Sequence, residues 1–172
     1  MDFEKLIEER YSVRSFRPEH LPNDVIGKIL KAGHKAPTGC NYQPQRILVL
    51  NTDETIEKLK SCTKCHFNAP TAMLVCHNKE ESWVRKYDGA LSSPVDAAIV
   101  TTHMMLAAQN EGVGCCWVMH FDPAAMRESF RIPDHVDPLA LLVMGYPAAD
   151  AKPLDLHFKA RPMEETVFYE TF

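Results

Sequence analysis

The sequence predicts a fold of the α/β or α+β class, with one mixed sheet covered by helices. Three observations lead there. Stretches with a helical period alternate along the chain with short apolar runs of strand length. The segment "SPVDAAIVTTHMMLAAQNEG" is apolar on nearly every face, which predicts a helix buried against a sheet. No internal repeat, low-complexity tract or linker interrupts the 172 residues, so 1–172 reads as a single domain.

Each element has a local reason. Residues 2–10 read as a helix, with Asp2 as cap and Phe3, Leu6 and Ile7 on one face. Residues 11–17 carry Tyr11, Val13 and Phe16 ahead of Pro18, a pattern that favours extended backbone. Asn23 caps a second helix with the apolar stripe Val25, Ile26, Ile29 and Leu30, ending before Pro37. A loop, "PTGCNYQPQ", follows at 37–45. "RILVL" at 46–50 is a nearly continuous apolar run, as expected of a buried strand. "DETIEKLKSC" reads as a polar helix and "TAMLVC" at 71–76 as a second strand. Residues 77–92 are polar apart from Trp83 and Tyr87 and read as an exposed excursion. The long apolar helix is capped near Ser93, has Pro94 in its first turn and stops at Gly112. "VGCCWVM" is a third strand, Asp122-Pro123 opens another helix, and "LALLVMGYP" is a fourth strand. The tail "HFKARPMEETVFYETF" is aromatic and charged without clear period; a tail of that kind often lies on another subunit.

Composition narrows the function. Hydrophobic residues make up 45% and charged residues 24%, ordinary for a soluble globular protein. A net charge of −4 argues against a nucleic-acid or anionic-membrane binder. No apolar run approaches the ~20 residues that span a bilayer. The start "MDFEKLIEERYS" lacks the basic-apolar-small order of an export signal, so the expectation is a cytoplasmic protein. Six cysteines in such a chain read as free thiols. "CTKCH" at 62–66 is a C-x-x-C, but a structural zinc site would show a second spaced pair. Cys40, Cys76 and the adjacent Cys115–Cys116 supply none, so no metal site is expected and the role of Cys62 and Cys65 stays open. His103 falls inside the buried helix, where a satisfied neutral ring is the default, and His34 and His120 have no partner at catalytic spacing. No G-x-G-x-x-G or G-x-x-x-x-G-K-[ST] occurs, so neither a classical dinucleotide site nor a P-loop is supported.

The chemistry-bearing stretch is "ERYSVRSF" at 9–16. In an extended chain Arg10, Ser12 and Arg14 project from one face. At ~3.3 Å per residue the two arginines stand roughly 13 Å apart, enough to engage both ends of a small ligand. Two guanidiniums and a hydroxyl suit a phosphate and the polar atoms beside it. The competing reading is a helix end whose arginines favour the C-terminal dipole and pair with Glu8 or Glu9.

"ERYSVRSF", "KAPTGCNYQPQRILVL", "DAAIVTTHMMLAAQNEGVGCCWV", "LLVMGYP" and a late "KAR" occur in that order. Together they resemble the FMN-dependent nitroreductase family in its short-chain form, from about residue 3 to the C-terminus. The resemblance implies an α+β fold with a mixed central sheet flanked by helices, in an intertwined homodimer with FMN at the subunit interface. Arg10 and Ser12 would then sit near the phosphate and ribityl chain, and Arg14 at the pyrimidine end of the ring, where positive charge suits the reduced flavin. Pro37, Thr38, Asn41 and Gln43 match a loop that comes from the other subunit; the alternative for this loop is a turn satisfying its own backbone. Cys115 and Cys116 would be small residues on the strand beside the ring, and Lys159 and Arg161 would complete the phosphate site. The family commonly has an aromatic where this chain has Gln45. The implied activity takes hydride from NADH or NADPH by a ping-pong mechanism and reduces an electron-poor acceptor such as a nitroaromatic or quinone. No side-chain acid or base is assigned. Flavin reduction, reduction of a specific metabolite, or a flavin-binding redox module using Cys62 and Cys65 are the alternatives on the same scaffold. A zinc-binding interaction protein is the reading that dispenses with flavin.

Overall fold

The computed structural model describes residues 2–172. Its centre is a sheet of four strands: β1 (Gln45–Leu50), β2 (Thr71–Asn78), β3 (Gly114–Val118) and β4 (Val136–Gly145), in the order β1-β2-β4-β3. Every neighbouring pair is antiparallel. The parallel component expected of a mixed sheet is confined to an isolated bridge, where Ser12 runs alongside Cys115. The class is α+β.

Helices cover both faces. On one side α2 (Asn23–His34) and α4 (Ser93–Asn110) pack over Met73, Val75, Leu142 and Met144. On the other, α3 (Asp53–Cys62) and α5 (Pro123–Phe130) pack over Ala72, Leu74, Leu141 and Val143. Coverage on both faces is why β2 is buried along its whole length and why its middle, from Ala72 to Cys76, is continuously apolar. Each fully buried leucine or methionine in these layers contributes roughly 1.5–3 kcal/mol. β1 differs from the expectation of a buried strand. It pairs on one side only and alternates between half-buried and exposed positions, as an edge strand does.

Side-chain capping holds at α3 and α5 but not at the other starts, where Asp2 before the first helix and Ser92 before α4 make no side-chain cap bond. Thr52 forms a capping box with Thr55 ahead of α3, and Asp122 accepts the Ala124 and Ala125 N–H groups at 2.8 and 3.1 Å ahead of α5. Asn23, expected as the cap of α2, is instead its first residue, behind Pro22 and without a side-chain cap bond. Ser92 precedes α4, Pro94 sits in its first turn, and Gly112 ends it with φ +72°. β4 begins at Val136, earlier than the apolar run suggests, and contains Pro138. A proline has no N–H to give a ladder, and the register slips opposite it, between Val75 and Cys76.

The polar excursion is shorter than expected, because His77 and Asn78 complete β2 and are buried. Tyr87 at its tip is fully exposed, whereas Trp83 is half-buried. One flank of α4 stays partly open, with Ile99, Met105 and Leu106 half-buried and Val95 exposed. The first helix, α1 (Phe3–Glu9), buries no residue, and residues 158–172 are exposed throughout. Among the described residues no helix is long and apolar enough to cross a membrane.

Candidate functional site

The chain leaves α1 at Arg10 with extended dihedrals (φ −66°, ψ 128°), and the next residues run beside the β3 edge. The Val13 N–H donates to the Cys115 carbonyl at 3.0 Å, and Ser12 bridges Cys115. Gly114 permits this approach: a Cβ there would lie 2.6 Å from Val13 Cγ2. Arg10, Ser12 and Arg14 consequently line one cavity of about 290 Å³, closed on its far side by Leu154, Leu156 and His157 from the C-terminal segment. Arg14 donates to the Ser12 carbonyl at 2.9 Å, and its guanidinium lies 5.8 Å over the Phe67 ring.

Among the described residues, neither Arg10 nor Arg14 pairs with a carboxylate. Of Glu8 and Glu9, the partners that a helix-end role would supply, Glu9 lies 3.6 Å from Lys5, and neither pairs with Arg10 or Arg14. The pairing that this competing reading requires is missing from the structure. Two unneutralised cations and a hydroxyl therefore share one concavity.

Behind them lie Cys115 and Cys116, both buried. Burial, with a smaller contribution from Cys116, pushes the Cys115 thiol up to about 12. Burial raises Cys116 as well, against the opposing influence of Arg14 and the Ser12 hydroxyl. Neutral thiols of this kind are poor nucleophiles. What the pair offers the site is small volume. Trp117 packs against the core between the sheet and α2/α4.

The remaining expected residues are not gathered here. The 37–43 loop packs elsewhere, on the N-terminal end of α4, where the Gly39 N–H donates to Asp96 Oδ1 at 2.8 Å. Part of this loop satisfies its own backbone: the Gln43 N–H donates to Thr38 Oγ1 at 3.1 Å and the Tyr42 N–H to the Gly39 carbonyl at 3.0 Å. Pro37, Asn41 and Gln43 are exposed and Thr38 is half-buried. Gln45 opens β1 opposite His77, and Gln45 Oε1 and His77 Nδ1 are both buried without a partner among the described residues. Lys159 and Arg161 are exposed and do not line the cavity, and Arg161 lies 3.6 Å from Glu165. What lines it from that part of the chain is the segment just before them.

Phe67 is the neighbour that sequence reasoning missed. It sits in a turn where Phe67 and Asn68 both have left-handed dihedrals (φ 50° and 52°) without a glycine to announce it. The adjacent Cys62 is locked in packing: its thiol reaches the Lys58 carbonyl and Ser129 Oγ, each at 3.5 Å. Cys65 is half-buried, and His103 bonds the Ile99 carbonyl of its own helix at 2.9 Å.

Comparison with known proteins identifies the family. A sequence profile of the nitroreductase family matches residues 7–91 and 62–146. The crystal structure of a nitroreductase family protein from Clostridium difficile 630 superposes over 100% of both chains, with a TM-score of 0.93 and 38% identity. An FMN-dependent nitroreductase from Clostridium difficile R20291 shares the fold, with a TM-score of 0.79 and 22% identity over 97% of this chain and 98% of that one. A protein of Methanothermobacter thermautotrophicus with the provisional name NADH dehydrogenase/NAD(P)H nitroreductase is 29% identical over 163 residues, covering 91% of this chain and 83% of its own. An NADPH-dependent oxidoreductase of Staphylococcus aureus is 27% identical over 162 residues, and there the match spans 64% of the relative. The chain belongs to the nitroreductase family.

Proposed function

We propose that this oxidoreductase is a homodimeric, FMN-dependent enzyme that takes reducing equivalents from NADH or NADPH and delivers them to an electron-poor acceptor such as a nitroaromatic or quinone. The observation that carries the reading is the convergence of Arg10, Ser12 and Arg14, free of carboxylates, on one cavity. A phosphomonoester and a polyol present anionic and hydroxyl oxygens, and this donor set fits them. Bound there, FMN would supply the two-electron chemistry.

The protein's part is binding and charge. Arg10 and Ser12 would hold the phosphate and ribityl oxygens. Arg14, planted over Phe67, would place a fixed positive charge at the pyrimidine end, and such preorganised charge favours any electron-rich state of a bound ring. Cys115 and Cys116 would let the ring approach the β3 backbone. Solvent can deliver protons to an acceptor in an open cleft, so no side-chain acid is required.

Two features of the single chain fit a site shared with a second copy. About 290 Å³ lies at or below the roughly 300–1,000 Å³ usual for small-molecule sites, so one chain supplies only part of an FMN site. Leu154 and Leu156 on its rim, and Phe158, Tyr169 and Phe172 further along the tail, stand exposed, apolar area that a partner would cover. Thr38, Asn41 and Gln43 would reach the cofactor from across that interface, and Lys159 and Arg161 would complete the phosphate site. The deciding experiment is a visible spectrum of the purified protein, followed by anaerobic NADH or NADPH and then a nitroaromatic. The expected sequence is yellow, bleached, and yellow again. A colourless preparation that stays apo when incubated with FMN would sink the proposal.

A further inference from the structure

We infer that Asp96 is the positioning residue for the 37–43 loop, holding it in the shape in which Thr38, Asn41 and Gln43 complete an FMN site of the partner protomer. The inference rests on the functional reading above and deepens it. Asp96 lies in the first turn of α4 and is only 3% exposed. Its Oδ1 accepts the Gly39 N–H at 2.8 Å and its Oδ2 accepts the Ser92 hydroxyl at 2.8 Å. Among the described residues no lysine, arginine or histidine pairs with it. A carboxylate taken out of water without a cation is costly, although two hydrogen bonds and the amino end of a long helix soften the cost. What the carboxylate has over an asparagine is a second acceptor oxygen, so that it can take the Gly39 N–H and the Ser92 hydroxyl together.

The segment that the carboxylate grips identifies its role. Gly39 opens a 3₁₀ turn, and the residues after it run through left-handed backbone: Cys40 at φ 46°, Asn41 at φ 60° and Gln43 at φ 52°. Asparagine tolerates that region, whereas cysteine and glutamine are strained in it. A strained loop keeps its shape only where its surroundings over-determine it. At its far end the loop is pinned by the Asn78 N–H donating to the Pro44 carbonyl at 2.8 Å. At its near end the grip is Asp96. Gly39 is fitted to that grip, since a Cβ there would lie 2.9 Å from Ser92 Oγ and 3.1 Å from Ser92 Cβ. The anchored stretch runs from Gly39 to Pro44 and contains Asn41 and Gln43, with Thr38 directly before it.

The test compares FMN binding in the wild type, Asp96→Ala, Asp96→Asn and Gly39→Ala, with folding checked by circular dichroism. Loss of charge-assisted bonds predicts a rise in FMN Kd of roughly tenfold or more for Asp96→Ala. Asp96→Asn retains an acceptor for Gly39 and should fall between. Exchange of the Gly39 amide should quicken by about tenfold or more in Asp96→Ala while the β3 amides stay unchanged. Mixed dimers, co-expressed with two tags, locate the effect. Pairing an Arg10→Ala chain with an Asp96→Ala chain leaves one site with an intact Arg10 and an intact loop, so one flavin per dimer should bind at wild-type affinity. Wild-type FMN affinity in Asp96→Ala, or mixed dimers with no wild-type site, would overturn the inference. Should Asp96→Ala not fold, wild-type affinity in both Asp96→Asn and Gly39→Ala would do so. A wild-type protein that takes up no FMN defeats the functional reading instead, and unchanged Gly39 exchange in Asp96→Ala would then remove the anchor on its own.

Discussion

Gly114→Ala is the sharpest test of how the opening segment is held against the sheet. The added methyl would lie 2.6 Å from Val13 Cγ2, 2.9 Å from Val13 Cβ and 3.0 Å from Pro147 Cγ. Ordinary contact needs about 3.6–4 Å between carbons, so something must move by roughly 1 Å. Val13 has little room, being 1% exposed and stiff at χ1. Its backbone is tied to Cys115 at 3.0 Å. The cost should therefore be that of overpacking, about 1–3 kcal/mol, or a fall in Tm of roughly 3–10 °C for a chain of this size. Flavin affinity should drop as well, because the displaced segment carries Ser12 and Arg14. Differential scanning calorimetry and flavin titration read the two effects. Val13→Ala removes the clashing methyls, so the double variant should recover part of the loss, a coupling the thermodynamic cycle isolates. Unchanged Tm and unchanged flavin affinity in Gly114→Ala would refute the reasoning, as would strict additivity in the double variant.

Arg10→Ala and Arg14→Ala should each weaken FMN binding by roughly ten- to a hundredfold, the size expected of a charge-assisted contact, as read by flavin fluorescence titration. Unaltered occupancy in both variants contradicts the assignment of the triplet. Arg14→Lys keeps the charge but loses the planar group over Phe67, so it should lie between. Burial holds His77 below the usual histidine value, only partly offset by Asp137, so the unfolded chain binds the proton more readily. Its contribution to stability is then present above about pH 6.5 and is lost as the pH falls below it; urea midpoints should decline more steeply from pH 7 to 5 in the wild type than in His77→Gln. Equal slopes would remove His77 from that account. With its thiol pushed up to about 12, Cys115 should resist iodoacetamide at pH 8.5 in the folded protein, and mass spectrometry finding it labelled as fast as a free thiol would contradict its burial.

Elements set by local chemistry were legible. The Asp122-Pro123 start, the Gly112 stop and the beginning of β2 at Thr71 depend on neighbours in sequence, and each stands where its residues placed it, while β2 runs two polar residues past its apolar stretch. What depended on tertiary context was harder to read. "RILVL" carries the composition of a buried strand, yet which strand ends at the edge is decided by pairing order and not by its own residues. Pro138 argues against a strand when taken alone, and only the register slip in the neighbouring β2 accommodates it. The site divides along the same line. The triplet was readable because alternation in an extended chain is local geometry. Phe67 escaped because its place under Arg14 comes from a turn without glycine, in which a phenylalanine takes left-handed backbone, and Pro70 marks only where that turn ends. Asp96 escaped for a related reason. An acid in the first turn of a helix is adequately explained by the helix dipole, and nothing local says that its oxygen is committed to the Gly39 N–H, 57 positions earlier in the chain. The half of the site that a partner would supply is written in residues left exposed in one chain. Exposed Asn41, Gln43, Lys159 and Phe158 look the same in sequence whether they meet water or a second copy. The left-handed backbone at Cys40, Asn41 and Gln43 is equally invisible in the sequence, because a single asparagine is the one residue there that favours it.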